Sequence, residues 1–112
     1  MAEPARHPAY LIVALHVKDH EDYLARYGAP VAAMLSDAGA EILVATPTVD
    51  VLEDDYAANW TVVVRFPDIE TARAWYHGAD YEPLKKLRRE VLTGGGSVVL
   101  AEGFDPVALG LA

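Results

Sequence analysis

The sequence predicts an α+β domain: a four-stranded antiparallel sheet with helices packed on one face only. Three observations lead there. Residues 10–17 and 60–66 alternate with period two, each with one purely aliphatic or aromatic face, as strands do. Residues 19–38 and 68–91 place their apolar side chains at helical spacing. The order that results is strand, helix, strand, strand, helix, strand, the split β-α-β arrangement of ferredoxin-like domains.

Each element has a local reason. In the first strand Leu11, Val13, Leu15 and Val17 form the face expected to meet helices, while Tyr10, Ile12, Ala14 and His16 form the other. Asp19 is suited to cap the first helix, because a carboxylate can accept from its free N–H groups. The expected buried stripe of that helix is Leu24, Tyr27, Val31, Met34, Leu35 and Ala38. Gly28 and Pro30 interrupt it and predict a kink, since proline removes a backbone donor and crowds the preceding turn. Gly39 ends it. Residues 41–46 form the second strand, stopped by Pro47, with 48–52 as a further short strand or hairpin arm and 53–59 as a polar loop.

In the third strand, Trp60, Val62, Val64 and Phe66 face the helices, and Thr61, Val63 and Arg65 share the face of His16. Asp68 caps the next helix, whose apolar face is Ile69, Ala72, Trp75 and Tyr76, and Gly78 fits just beyond its end. Pro83 suits the first turn of a following helix in which Leu84, Leu87, Arg88 and Val91 share a face. Gly94-Gly95-Gly96 reads as a loop, 97–102 as the last strand, and 104–112 as a C-terminal tail. The whole of 1–112 is one domain with a core of about 9–103 behind a loose lead-in. The bare sheet face is mixed apolar and polar, which predicts burial against a second copy, sheet on sheet. A cavity between the sheets would suit a small ligand.

Composition narrows the function. Of 112 residues, 53% are apolar, so a folded core is expected. The net charge of −8, from 17 acidic and 9 basic residues, disfavours nucleic acid and anionic membranes as partners. There is no cysteine, hence no disulfide framework and no thiolate chemistry. No apolar run approaches the roughly 20 residues of a membrane span, and the first residues lack a secretory layout, so a cytoplasmic protein is expected. No phosphate loop, dinucleotide fingerprint or nucleophile elbow is present, and no His, Asp and Glu set has metal-ligand spacing. Neither a metal nor another cofactor is expected.

Phe66-Pro67, Ala72, Trp75-Tyr76, Tyr81 and Arg88, with Tyr10, Asp19, Tyr23, Tyr27, Val51-Leu52-Glu53 and Glu102-Gly103 in order, resemble the domain-of-unknown-function 1330 family over residues 9–103. The resemblance implies a homodimeric α/β barrel, two ferredoxin-like sheets paired face to face, in a superfamily that includes cofactor-free monooxygenases, polyketide cyclases, lactone isomerases and haem-dependent enzymes. It implies a pocket rather than a defined reaction. Departures from the family pattern are Ala45-Thr46-Pro47 in place of Arg-Gly-Gly, Arg65 in place of an acid, and His77-Gly78 in place of Ser-Pro. They would re-polarise the same pocket.

His16 and Arg65 are the candidate catalytic pair. An imidazole titrates near neutrality and can move a proton. A guanidinium keeps its charge and can hold a carboxylate or developing enolate oxygen. Tyr27, Trp75, Tyr76, His77, Tyr81 and Arg88 are the candidate substrate-binding residues, as aromatic walls with polar tips. Each has a structural alternative: a rim histidine, a salt-bridged arginine, core aromatics, and a histidine favoured by a helix C-terminus. The function expected is a cofactor-free enzyme using acid/base chemistry on a small, largely apolar, carbonyl-bearing molecule. Isomerisation, cyclisation, elimination or cofactor-free oxygenation would all qualify. The alternative is a dimer that binds a small molecule or serves assembly without catalysis.

Overall fold

A computed structural model describes residues 7–111. Four strands, β1 (Ala9–Val17), β2 (Glu41–Thr46), β3 (Trp60–Phe66) and β4 (Thr93–Glu102), form one sheet in the order β2-β3-β1-β4. Every neighbouring pair is antiparallel. The fold is the ferredoxin-like α+β arrangement, with the first and last strands side by side.

Strand alternation decides the two faces. Ala9, Leu11, Val13, Leu15 and Val17 of β1 and Trp60, Val64 and Phe66 of β3 are buried under the helices. His16 and Arg65 point the other way and are exposed, on the same side of the sheet. Asn59 ends the loop before β3 and clamps the far end of β1. Its side-chain oxygen accepts from the Val17 N–H at 2.7 Å, and its amide donates to the Val17 carbonyl at 2.9 Å. A side-chain amide thus satisfies backbone groups that no strand reaches.

The first helical stretch runs as α1 (His20–Tyr23), a π-helical turn (Leu24–Gly28) and α2 (Ala29–Asp37). Asp19 caps it, accepting from the Asp22 N–H at 3.0 Å. The irregularity expected from Gly28 and Pro30 takes the form of that π turn, closed by the Ala29 N–H donating to the Leu24 carbonyl. The extra residue changes which side chains face inward. Tyr23 is buried and Leu24 is exposed, which corrects Leu24 as a stripe residue. Gly39 takes a positive φ of 78° past the helix end, and the Ala40 N–H returns to the Leu35 carbonyl.

The second helical layer is α3 (Ile69–Tyr76) and α4 (Glu82–Leu87), continued by a second π turn, Arg88–Leu92. Asp68 caps α3, accepting from the Thr71 N–H at 2.8 Å. Here too the π turn shifts the register: Leu92 is buried and Val91 exposed, so Val91 does not share the inward face of Arg88.

Two other expectations fail. Residues 48–52 form no strand, and Val49, Val51 and Leu52 are exposed in the link between β2 and β3. Gly94-Gly95-Gly96 is not a loop but lies within β4: Thr93 pairs with Val17 and Gly96 with Leu15, and Gly94 and Gly95 fall in the register shift between them. Glycine is required there by contact. At Gly96, φ is 133°, and a Cβ would lie 2.2 Å from the Ala14 carbonyl oxygen. The lead-in expected at 1–8 falls largely outside the described residues, although the Pro8 carbonyl accepts from the Gly103 N–H at 2.7 Å. The tail turns around Asp105, whose carboxylate accepts from the Val107 N–H at 3.1 Å.

Gly96→Ala is expected to lower unfolding stability by at least about 2 kcal/mol, from the backbone conformation and the steric contact together. Denaturant titration measures it, and an unchanged midpoint would show that β4 tolerates a side chain beside Ala14.

Candidate functional site

Beneath the helices, side chains from both helical layers meet in one buried polar cluster. The π turn of the first layer turns Tyr27 inward, and the start of α4 delivers Tyr81; their hydroxyls hydrogen-bond to each other. Arg88, on the second π turn, donates from a terminal guanidinium nitrogen to the Tyr76 hydroxyl at 3.2 Å. Arg88 is only 5% exposed and Tyr81 only 2%. Trp75 stacks on Tyr81 with ring centres 4.3 Å apart, and Tyr76 lies 5.4 Å from the same ring. Tyr23 packs against Tyr27 at 5.1 Å and against Trp60 at 6.1 Å.

Two cavities flank this cluster. One, about 350 Å³, lies between the first helical layer and strands β2 and β3, with Leu24, Val31, Leu35, Ile42 and Val62 among its walls. Tyr23, Tyr27 and Trp60 complete it. The other, about 570 Å³, opens between the two helical layers and is bordered by Met34, Trp75 and Tyr81, with Asp37 and Asp80 at its edge. Tyr27 walls one and Tyr81 the other, so the bonded hydroxyls join the two linings.

Electrostatics set the protonation of the cluster. Burial pushes the Tyr23 phenol up to about 12, against the opposing field of Arg88. Burial also drives Tyr27 well above the usual phenol range, reinforced by Tyr81. For Arg88, burial acts to lower the pKa, but the surrounding oxygens of Tyr81, Tyr27 and Tyr76 outweigh it and the net direction is up. Tyr23 and Tyr27 are therefore neutral hydrogen-bond donors near pH 7, beside a permanent cation. Among the described residues no carboxylate pairs with Arg88, and its Nε–H is buried with no acceptor.

The eight candidate residues thus divide between the two sides of the sheet. Tyr27, Trp75, Tyr76, Tyr81 and Arg88 come together on the helix side. His77 is the exposed cap residue at the end of α3, its ring edge-on to Tyr76 at 5.3 Å. His16 and Arg65 lie on the open face and are not brought together. Arg65 pairs across β1 with Tyr10, six residues before His16, a separation of about 20 Å at strand rise. Among the described residues Arg65 makes no ion pair. His16 borders its own cavity of about 470 Å³, with Asp55, Tyr56, Ser97 and the three glycines of β4. The Tyr56 hydroxyl bonds the Thr61 hydroxyl at 2.7 Å and holds that loop over the sheet.

Tyr23 and Trp60 were not among the expected site residues. The signal for Tyr23 is its i, i+4 spacing to Tyr27, and for Trp60 its place on the helix-facing side of β3. No group of three or more His, Asp or Glu side chains with metal-ligand geometry occurs among the described residues.

Unfolded phenols ionise near pH 10, whereas folded Tyr23 waits until about 12 and Tyr27 is also held above its ordinary range. Above about pH 10 the unfolded chain has given up protons that the folded chain keeps. Stability from these groups is therefore complete below that pH and falls as pH rises through the folded values. In an alkaline titration followed by phenolate absorbance, Tyr23 and Tyr27 should ionise only as the protein unfolds. Ionisation of all six tyrosines near pH 10 with the fold intact would contradict their burial.

The sequence model of the family described as Domain of unknown function (DUF1330) matches residues 8–104. Curated proteins gave no match. A solved structure, of a protein of unknown function from Rhodopseudomonas palustris determined as a structural genomics target, superposes with a TM-score of 0.70 at 10% identity. The match covers 90% of this chain and 85% of that one. At that identity the likeness concerns the fold alone. With nearly its whole length matched, the chain belongs to the DUF1330 family.

Proposed function

We propose that the protein is a cofactor-free enzyme using acid/base chemistry on a small, largely apolar, carbonyl-bearing molecule, by isomerisation, cyclisation, elimination or cofactor-free oxygenation. The observation that carries this is the hydrogen-bonded Tyr27–Tyr81 pair, buried beside Arg88 and shared by the linings of two cavities. Neutral phenols can donate to a carbonyl oxygen as it gains negative charge, and a fixed cation nearby favours that charge. Donors already oriented in a water-poor site need little reorganisation during the reaction. In this reading the Tyr27–Tyr81 pair, one proton of which is used in its own bond, offers its remaining hydroxyl proton to the carbonyl oxygen, while a water-derived base entering through the cavity takes the proton from carbon. Arg88 stabilises charge, and Trp75 and Tyr76 shape the wall. His16 and Arg65 lie on the surface that a second copy would cover.

The same reading includes a homodimer joined through the open sheet face and working in the cytoplasm. Ile12 is 39% and Val99 51% exposed there, and Val44 and Val63 lie beside them in register. A contiguous aliphatic patch of this kind favours burial against a partner. No helix among the described residues is long and apolar enough to cross a membrane.

Two experiments test this reading. The protein is incubated in D₂O with a set of aryl and cyclic β-dicarbonyl compounds, and exchange of the proton next to the carbonyl is followed by NMR. Exchange should outpace buffer, fall about 10²-fold or more in Tyr27→Phe, and persist in a His16→Ala, Arg65→Ala double variant. Buffer-rate exchange of every compound, with thermal stabilisation by some, would point to a non-catalytic binding dimer instead. For the assembly, Ile12→Asp is expected to convert a dimer to a folded monomer in light scattering. A wild-type monomer would remove the dimer from the proposal.

A further inference from the structure

Resting on the proposed pocket, the unmatched charge of Arg88 bears on what the ligand carries. A guanidinium that is 95% removed from solvent normally has a carboxylate partner, because an unpaired buried charge is costly. Here its neighbours are phenols. Tyr76 accepts one bond at 3.2 Å, Nε donates to nothing, and no carboxylate pairs with it among the described residues. Tyr27, which lines the apolar cavity, and Tyr81, which lines the inter-helix cleft, are bonded to each other, leaving one hydroxyl proton and their lone pairs for a ligand. The adjoining cavity of about 350 Å³ is walled mainly by aliphatic and aromatic side chains and falls within the ~300–1,000 Å³ typical of small-ligand sites.

We propose that the ligand is a small organic carboxylate, its anionic head seated at the Tyr27–Tyr81–Arg88 cluster and its apolar remainder in the cavity beneath β2. The carboxylate completes the charge pair that the described residues leave open. The one hydroxyl proton the bonded pair leaves free on one side and the cation on the other match its two oxygens. The apolar cavity selects against small hydrophilic anions, because inorganic phosphate or acetate leaves it unfilled. Asp37 and Asp80, at the edge of the inter-helix cleft, leave the apolar cavity as the favoured place for the body of an anionic ligand.

The test compares an acid with its uncharged isostere. Binding of phenylacetate and of phenylacetamide is measured by thermal shift and by tryptophan fluorescence, on wild type and on Arg88→Met. Phenylacetate should bind wild type about tenfold or more tighter than the amide, as expected for a charge-assisted bond over a neutral one. That preference should vanish in Arg88→Met. Equal affinity of acid and amide for wild type would overturn the carboxylate while leaving the pocket standing. So would a preference that survives in Arg88→Met. Binding of neither compound, nor of the β-dicarbonyl set, would remove the pocket itself. The wild-type comparison decides the matter without the variant, should Arg88→Met fail to fold.

Discussion

β1 is hydrogen-bonded along both edges, to β3 and to β4, and its strict alternation is the constraint on which the rest of the structure depends. A shift of one residue would turn Leu11, Val13, Leu15 and Val17 to the open face and bring Ile12 and His16 under the helices. Register is held at one end by Asn59, which bonds both backbone groups of Val17. Close by, Gly96 lets β4 approach Ala14. With β1 fixed, both helical layers have one place to pack, and the aromatic cluster forms where they meet above the sheet.

Two members of the cluster, Tyr27 and Arg88, sit on π turns rather than on regular helix. Each inserts a residue into its helical stretch and rotates the side chains beyond it. Across the first, Tyr23 and Tyr27 are buried while Leu24 turns out, and across the second Arg88 and Leu92 are buried while Val91 turns out. Such turns cost backbone regularity and are often found at functional sites. Here they converge on one polar group of residues in an otherwise apolar layer. Two helical layers meeting over a sheet would normally be closed by aliphatic packing. This one is closed by phenols around a cation.

Much of this fold was legible in the sequence, for a physical reason. Period-two alternation in β1 and β3 and the caps at Asp19 and Asp68 are local signals, and local signals survive in tertiary context. The inward aromatics and Arg88 were legible as a group, since Trp75, Tyr76, Tyr81 and Arg88 lie within fourteen residues. Their separation from His16 and Arg65 was not. Alternation reports which side of a sheet a side chain occupies, but not its distance along the strands from another on the same side. Nor does helical periodicity announce a π turn, so Leu24 and Val91 were assigned to faces that an unbroken helix would give them. The glycine run of β4 reads as a loop because its strand character comes from a close neighbour, not from its own side chains.

The neighbouring of β1 and β4 also has a consequence for how the chain acquires its structure. Ala9 pairs with Glu102 and Leu11 with Leu100, contacts that span most of the chain. During synthesis β1 emerges first, and it can pair with β3 on one side once residue 66 is out. Its other edge stays open until β4 has been made. Throughout that interval β1 is an unprotected template for a strand from another nascent chain. Ordered assembly therefore depends on how soon the last strand reaches that edge.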